Sequence, residues 1–308
     1  MLSSKLIKLL LIFVTSSLGL AGSLNVPHKP CPSLSLVGGT EDLENHFSSV
    51  LAFSVDDNKL SARCTGTKIK PNKFLTAAHC FVSQNKGKAV VWGKQPSKSF
   101  KQIFYSFEPQ ITEPDHVQSL EVKSITFPPD LEKCFTKSNA SLTRCIEEAP
   151  DLAVVEVQAS LAFQSALVSD LDFFPVQVGD LVYVVGYGYQ KEKDDSAPVR
   201  KHHLSQVVSQ EELQKVYEEE SNEDSQVDNE LYFGVFGNLL GENYANLGAG
   251  DSGGPVFRHR NGKEYLVGVN SFTFCPQANP DCEVATNSFF ARIHSGGKYQ
   301  LGEWLFQQ

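Results

Sequence analysis

The sequence predicts an all-β fold with little helix. Its 22 glycines and 15 prolines suit a chain that is rich in strands and turns. Short apolar runs also recur between turn residues, as they do in sandwiches and barrels. These runs are Val50–Val55, Ala89–Trp92, Leu152–Val155, Leu181–Val185 and Tyr265–Val269. Strong helical periodicity is found in only two segments, Gln210–Glu220 and Lys298–Gln308, and the second of them places Leu301, Trp304 and Leu305 on one face.

The composition is that of an ordinary globular protein, and it excludes several classes. The 308 residues are enough for two domains or for one large all-β unit. Acidic residues outnumber basic ones by 36 to 27, which gives a formal net charge of −9. This balance argues against a nucleic-acid partner, because phosphate binding needs clustered Lys and Arg. We find no internal repeat, and we interpret the charged segment Lys191–Glu230 as a long surface excursion.

The first 21 residues have the features of a signal peptide. Lys5 and Lys8 supply the positive start, Leu9–Leu20 is largely apolar, and Gly19–Ala21 offers small residues for cleavage. The alternative is a membrane anchor, but the apolar run is shorter than the ~20 residues that a span needs. No later segment is long and apolar enough to span a membrane. We therefore expect residues 1–21 to be removed and the product to be secreted or periplasmic, with no membrane association.

Seven cysteines in an exported chain lead us to expect disulfide bonds. Three short-range pairs suggest themselves, although spacing alone does not establish them: Cys64 with Cys80, Cys134 with Cys145, and Cys275 with Cys282. Cys31 is left over and its partner is undetermined. The sequence has no zinc-type pair of cysteines, so it predicts neither a structural metal nor a cofactor.

The segment Gly250–Pro255 has the features of a nucleophilic serine loop. Ser252 is flanked by glycines and preceded by Asp251, which leaves the backbone around its hydroxyl uncluttered. The N–H groups of Gly250 and Ser252 can point towards the oxygen that becomes negative during acyl transfer. The alternative is a glycine-rich turn between two strands. The upstream residues favour the catalytic interpretation.

A base and an orienting carboxylate are both available upstream. A serine hydroxyl needs a base whose pKa lies near neutral pH, and His79, in Thr76–Cys80, has the small neighbours that close packing requires. Asp151 stands at the start of an apolar strand and is the candidate carboxylate. Taken alone, the histidine could be a core residue and the aspartate a turn residue. We interpret His202–His203 as a solvated pair and His116 as part of a polar loop.

Taken together, these motifs resemble those of the trypsin/chymotrypsin-like serine protease family. Its order of catalytic residues is histidine, aspartate, serine, which matches His79, Asp151 and Ser252. The resemblance covers residues 36–308. It implies two six-stranded antiparallel β-barrels with a short C-terminal helix and an active site in the cleft between the barrels. Val184–Gly188 resembles a glycine-bearing strand of the second barrel.

The resemblance implies a secreted serine endopeptidase that acts through an acyl-enzyme. The expected partners are a protein or peptide substrate and protein inhibitors, with no nucleic acid, and the expected oligomeric state is a monomer. The resemblance also strengthens the Cys64–Cys80 pairing. The alternative from a different class is a non-catalytic relative that uses the scaffold to bind a partner, but such relatives usually lose a member of the triad.

The segment that begins at Leu36 resembles the family's mature N-terminus. In the family, a newly cut α-amino group enters the protein and pairs with the aspartate before the nucleophile, here Asp251. The resemblance therefore implies a zymogen with a pro-segment at residues 22–35. Ser35 precedes the junction, where Arg or Lys is usual. We thus expect cleavage by a protease that prefers small or apolar residues, and Cys31 could tether the pro-segment.

The residues at the substrate pocket imply a preference for small or uncharged side chains. Asn246 stands where members with basic specificity have Asp, and Thr273 and Ser288 replace two glycines that keep the pocket open. Gly248 stands where the family often has Cys. The expected pocket residues are Asn246, Ser271, Phe272, Thr273 and Ser288.

Two further segments depart from the family's pattern. Asp151 lies 72 positions after His79, which is more than is typical of the family. Cys134–Cys145 lies within these additional residues. The acidic stretch 218–230 invites a calcium interpretation, but it lacks an EF-hand pattern and is also consistent with a solvated surface. Asn139 begins a glycosylation sequon.

Overall fold

The computed structural model describes residues 39–55, 60, 64–85, 88–91, 102–137, 141–158, 160–188, 197–221, 227–236, 247–273, 287–294 and 297–308. Several predicted features lie outside these residues: the signal peptide, the pro-segment, Leu36, the sequon residue Asn139, Asn246, and the cysteines Cys31, Cys275 and Cys282.

Strands dominate the described chain. In chain order they are β1 (Thr40–Glu41), β2 (Val50–Ser54), β3 (Cys64–Lys70), β4 (Lys73–Thr76), β5 (Val82–Asn85), β6 (Lys88–Val91), β7 (Gln102–Ser106), β8 (Gln118–Thr126), β9 (Ala153–Gln158), β10 (Asp170–Leu171), β11 (Leu181–Gly186), β12 (Lys201–Gln206), β13 (Tyr232–Phe236), β14 (Pro255–Arg260), β15 (Lys263–Thr273) and β16 (Asn287–Arg292). All five apolar runs singled out in the sequence contribute to strands, which confirms the mostly β prediction.

The first half of the chain forms a closed six-stranded barrel in the order β2-β3-β4-β9-β8-β7. The ladder closes where β7 pairs with β2, for example Phe53 with Tyr105. The strands are antiparallel, and one face of each points to a buried interior that is rich in phenylalanine. Aromatic rings such as those of Phe53 and Phe81, stacked at 5.5 Å, fill this interior. The prediction of a first barrel is confirmed.

The prediction of a second six-stranded barrel is only partly right. The second sheet has eight strands, with the path β1-β12-β11-β14-β15-β16-β13 and β10 beside β15, and it is not closed. In the described chain, the bridge between Val207 and Val235 and the bond from Val208 N–H to the Gly234 carbonyl (3.0 Å) link β12 and β13. The ladder does not continue because the chain turns into a helix at Gln210, directly after these contacts.

Five short α-helices complete the described chain: α1 (Pro129–Phe135), α2 (Leu142–Glu148), α3 (Leu161–Ser165), α4 (Gln210–Ser221) and α5 (Leu301–Gln307). Helices α4 and α5 confirm the two periodic segments, and Leu301 and Leu305 are buried as expected. Helices α1 and α2 lie in the excess residues before Asp151 and are joined by the Cys134–Cys145 disulfide. Their sequences gave no strong periodicity. None of the helices in the described ranges is long and apolar enough to cross a membrane.

The segment 191–230 is more than the surface excursion that its polarity suggested. Among its described residues, β12 is part of the second sheet and Arg200 is fully buried. The interpretation of His202 and His203 as a solvated pair is also wrong. Burial lowers the pKa of His203 to about 4, and the His202 ring packs 5.2 Å from that of Phe47. Their polarity in the sequence does not reveal that β12 lies between β1 and β11.

A buried ion pair ties the start of the described chain to the second sheet. Arg200 Nε donates to Asp42 Oδ2 at 2.8 Å, and both side chains are fully buried. The Arg200 guanidinium also donates to the Tyr187 hydroxyl at 3.0 Å and to the Val50 carbonyl at 3.1 Å. It therefore joins residues of the barrel, of the second sheet and of the segment that follows β1. The candidate site lies where the barrel and the second sheet meet, since the serine loop bonds both β3 and β15.

Candidate active site

Strand pairing brings His79 and Asp151 together. β4 and β9 are antiparallel, with Thr76 opposite Ala153, so the residues that follow Thr76 lie beside those that precede Ala153. His79 lies in a short 3-10 helix, Ala78–Phe81, directly after β4. Its Nδ1 is 2.7 Å from Asp151 Oδ2, and its backbone N–H donates to Asp151 Oδ1 at 3.0 Å. Two contacts thus hold the imidazole against the carboxylate.

Asp151 is a buried anion held by hydrogen bonds. It is fully buried, and Ser271 Oγ donates to its Oδ2 at 2.6 Å. Burial alone would raise the pKa of Asp151, but the neighbouring His79 and the hydrogen bonds from His79 and Ser271 outweigh it and lower the pKa. Ser271 was expected only as a substrate-pocket residue. The structure shows in addition that its hydroxyl bonds the carboxylate, a contact for which its position in the sequence carries no signal.

The contact with Asp151 raises the pKa of His79, whereas it lowers the pKa of Asp151. Burial alone would lower the pKa of His79, but the charge of Asp151 and its hydrogen bond raise the pKa above the ordinary value of 6.5. Because the carboxylate accepts the Nδ1 proton, the neutral imidazole presents an unprotonated Nε2. The His79 side chain is 22% exposed, so part of the imidazole remains accessible to solvent.

A disulfide bond connects the histidine segment to the serine loop. Cys80, next to His79, is bonded to Cys64, which confirms that predicted pair. The Cys80 sulfur lies 3.7 Å from the carbonyl oxygen of Ser252. The same carbonyl accepts a hydrogen bond from the N–H of Thr65 at 2.8 Å, so the serine is anchored to β3 of the barrel. These contacts bring the backbone of Ser252 next to the segment that carries His79; among the described residues, no hydrogen bond joins the Ser252 hydroxyl to the His79 ring.

The serine loop is also fastened to the second sheet. Gly253 N–H donates to the Asn270 carbonyl at 2.8 Å, and Asn270 N–H donates to the Gly254 carbonyl at 2.7 Å. The Asn270 side chain donates to the Asp251 carbonyl at 3.0 Å. Gly250 has a φ of +97°, a conformation that favours glycine. These bonds fix the backbone that leads into and out of Ser252.

Asp251, the carboxylate that we predict to pair with the new N-terminus, precedes Ser252 in the chain and is fully buried. Its two oxygens accept hydrogen bonds from the N–H groups of Gly188 (2.7 Å) and Gly248 (3.0 Å). A Cβ atom at Gly188 would lie 2.5 Å from Asp251 Oδ2, and one at Gly186 would lie 2.0 Å from Oδ1. The close approach therefore requires glycine at both positions. Its predicted partner Leu36 lies outside the described residues.

The described residues that we expect to line the substrate pocket lie on β15 and β16. Thr273 pairs with Ser288 in the sheet, and the buried Ser288 hydroxyl accepts a hydrogen bond from Leu247 N–H at 3.2 Å. Phe272 stacks on Phe289 with ring centroids 4.6 Å apart. Leu247 was not singled out in the sequence, although it follows Asn246 directly. Its contact with Ser288 depends on the fold.

No group of His, Cys, Asp and Glu residues in the described ranges could hold a metal ion. Part of the acidic stretch 218–230 lies outside those ranges, including residues 222–226.

The family model described as Trypsin matches residues 36–293. No curated protein matches the chain.

Proposed function

The chain belongs to the trypsin family, whose model matches most of its length, and from this premise we propose that it is a secreted serine endopeptidase. Members of the family are generally serine endopeptidases and are typically secreted. The observation that carries the proposal is the 2.7 Å contact between His79 and the buried Asp151, next to a glycine-flanked Ser252. This arrangement fits a base that is oriented by a carboxylate.

In the proposed reaction, His79 Nε2 accepts the Ser252 proton as the hydroxyl oxygen attacks the scissile carbonyl. Asp151 holds the imidazole in one tautomer and stabilises the imidazolium that forms. The Gly250 and Ser252 N–H groups donate to the tetrahedral oxyanion, and one such donor is worth about 3–4 kcal/mol in related chemistry. His79 then protonates the leaving amine, and water hydrolyses the acyl-enzyme by the same steps in reverse.

We propose that the chain is made as a zymogen. Cleavage before Leu36 would free an α-amino group that pairs with Asp251. The complete burial of this carboxylate supports the proposal, because a buried charge calls for a cationic partner. Ser35 at the junction supports activation by a protease that prefers small or apolar residues.

We also propose a preference for small or uncharged substrate side chains. Asn246 offers no formal charge to Arg or Lys, and Thr273 and Ser288 add side chains where glycines would leave space. The Leu247–Ser288 contact places a further apolar residue beside them. The proposed partners are protein or peptide substrates and protein inhibitors, and the proposed state is a monomer.

Labelling with a fluorophosphonate probe tests the proposed activity. The probe should label the chain after limited proteolysis, and Ser252→Ala should abolish the label. N-terminal sequencing of the labelled material should begin at Leu36. Absence of labelling in folded, processed material would instead favour the non-catalytic relative.

A further inference from the structure

One buried threonine bonds both residues that supply the proposed oxyanion donors. Thr65 Oγ1 donates to the Gly250 carbonyl at 2.7 Å, and the Thr65 N–H donates to the Ser252 carbonyl at 2.8 Å. Thr65 lies in β3 of the barrel, 185 residues before Gly250, and is fully buried. A single residue of the barrel thus holds the serine loop on both sides of Asp251.

The Thr65 hydroxyl has defined donor and acceptor roles. The Gly250 carbonyl can only accept, so the hydroxyl proton points to it. The backbone N–H of Tyr187 can only donate, so the hydroxyl oxygen accepts from it at 3.1 Å. Tyr187 directly follows β11 of the second sheet and precedes Gly188, whose N–H bonds Asp251. The hydroxyl therefore joins the barrel, the serine loop and the second sheet.

The Gly250 carbonyl lies only two backbone torsions away from the proposed oxyanion donor. These are the φ and ψ of Gly250, and glycine has more freedom in both than any other residue. The carbonyl belongs to the same peptide group as the Asp251 N–H, which donates to the Gly248 carbonyl at 3.1 Å. Both ends of that peptide group are therefore bonded. The bond from Thr65 thus restrains the residue whose N–H must point in one direction.

Thr65 is itself held by the segment that carries the candidate base. Its carbonyl accepts a hydrogen bond from Thr76 Oγ1 at 2.8 Å, and Thr76 ends β4, three residues before His79. The adjacent Cys64 is bonded to Cys80, the residue after His79. The Thr65 hydroxyl thus projects from a fixed backbone, and its bond to the serine loop relates the oxyanion donors to the base.

We propose that Thr65 is a positioning residue for the oxyanion donors and acts through the Gly250 carbonyl. The inference rests on the proposed serine protease activity. Removal of one oxyanion donor costs about 10²–10³ in kcat in related chemistry. A donor that is displaced by about 1 Å but still present should cost on the order of tenfold to a hundredfold.

The test compares Thr65→Val with Thr67→Val in the activated protein. Valine has nearly the shape of threonine, so each variant keeps the packing of β3 and removes one fully buried hydroxyl. Thr67 is the matched control, because its Oγ1 has no hydrogen-bond partner among the described residues. Thr65→Val should lower kcat about tenfold to a hundredfold and leave KM nearly unchanged, as expected for an interaction that acts in the transition state. Thr67→Val should change neither value.

Inhibition by a peptide aldehyde separates the oxyanion donors from a general loss of structure. When the aldehyde adds to Ser252, the Oγ–carbon bond forms, the hydroxyl proton passes to His79 and the aldehyde oxygen becomes the oxyanion. Thr65→Val should weaken this inhibition by about the same factor as kcat. The inhibition constant of the corresponding peptide alcohol, which cannot add to Ser252, should not change. Thr65→Ser keeps the hydroxyl and should retain both kcat and the aldehyde inhibition.

Three outcomes would overturn the inference. One is a Thr65→Val variant whose kcat and aldehyde inhibition match those of Thr67→Val. A second is a Thr65→Ser variant that loses as much kcat as Thr65→Val. The third is rapid hydrogen exchange at the Tyr187 amide of the unmodified protein, a measurement that does not depend on the folding of any variant. Failure of the proposed activity looks different, because the fluorophosphonate probe would then not label the unmodified protein at Ser252.

Discussion

Replacing Arg200 by leucine should destabilise the protein more than replacing any exposed arginine. The Arg200 guanidinium is fully buried and donates to five groups, which are Asp42 Oδ2, the Val50 and Phe107 carbonyls, the Tyr187 hydroxyl and Asn45 Oδ1. Leucine fills part of the volume but donates to none of them. The substitution therefore leaves a buried carboxylate without its cation.

The size of the effect follows from that carboxylate. From the described residues, Asp42 would keep the two hydrogen bonds donated by the N–H groups of His46 (2.8 Å) and Phe47 (3.1 Å). Breaking a buried ion pair by removing one partner costs about 3–5 kcal/mol. Each ~1.4 kcal/mol is a factor of ten, so the unfolding equilibrium should shift at least a hundredfold.

Urea unfolding followed by tryptophan fluorescence measures this loss. Arg144→Leu is the matched control, because Arg144 bonds Glu148 on the surface with 60% of its side chain exposed. Adding Asp42→Asn to Arg200→Leu should restore part of the stability, since it removes the unpaired charge. The reasoning fails if Arg200→Leu costs no more than Arg144→Leu, or if the double variant is less stable than the single one.

Three further predictions concern activity. Asp151 raises the pKa of His79, and a protonated imidazole cannot accept a proton. In a pH-rate profile, kcat/KM should therefore fall as the pH drops through a midpoint above 6.5. A midpoint below that value contradicts the pairing of His79 with Asp151. Gly188→Ala would place a Cβ 2.5 Å from Asp251 Oδ2. Active-site titration should therefore find few competent sites. A normal titre would refute the close approach of Gly188 to Asp251. Ser288→Gly removes the hydroxyl that accepts from Leu247 N–H. It should raise the ratio of kcat/KM for peptides with a larger residue before the cleaved bond to kcat/KM for peptides with alanine there. An unchanged ratio would mean that Ser288 does not limit the pocket.

Local patterns were sufficient to predict much of the fold, and they supplied the candidate residues of the site. The alternation of apolar runs and turn residues indicated strands such as β2 and β11. Such a pattern depends only on residues that are neighbours in the sequence. The spacing of hydrophobic residues likewise indicated α4 and α5. The helices α1 and α2 were missed because their sequences show no strong helical periodicity, whereas α5, which also has seven residues, places Leu301 and Leu305 on one buried face. The prediction of a second barrel was only partly right, because closure of the second sheet depends on strand partners far apart in the sequence.

The sequence by itself determined which groups are available for chemistry: a glycine-flanked serine, a histidine among small residues and an aspartate before an apolar strand. Only the tertiary structure decided what those groups touch. The β4–β9 register brings His79 to Asp151, and β15 supplies the Ser271 hydroxyl from 120 residues away. Whether a hydrogen bond forms depends on differences of a few tenths of an ångström in the donor–acceptor distance. The spacing of residues along the chain does not encode distances between two sheets that finely.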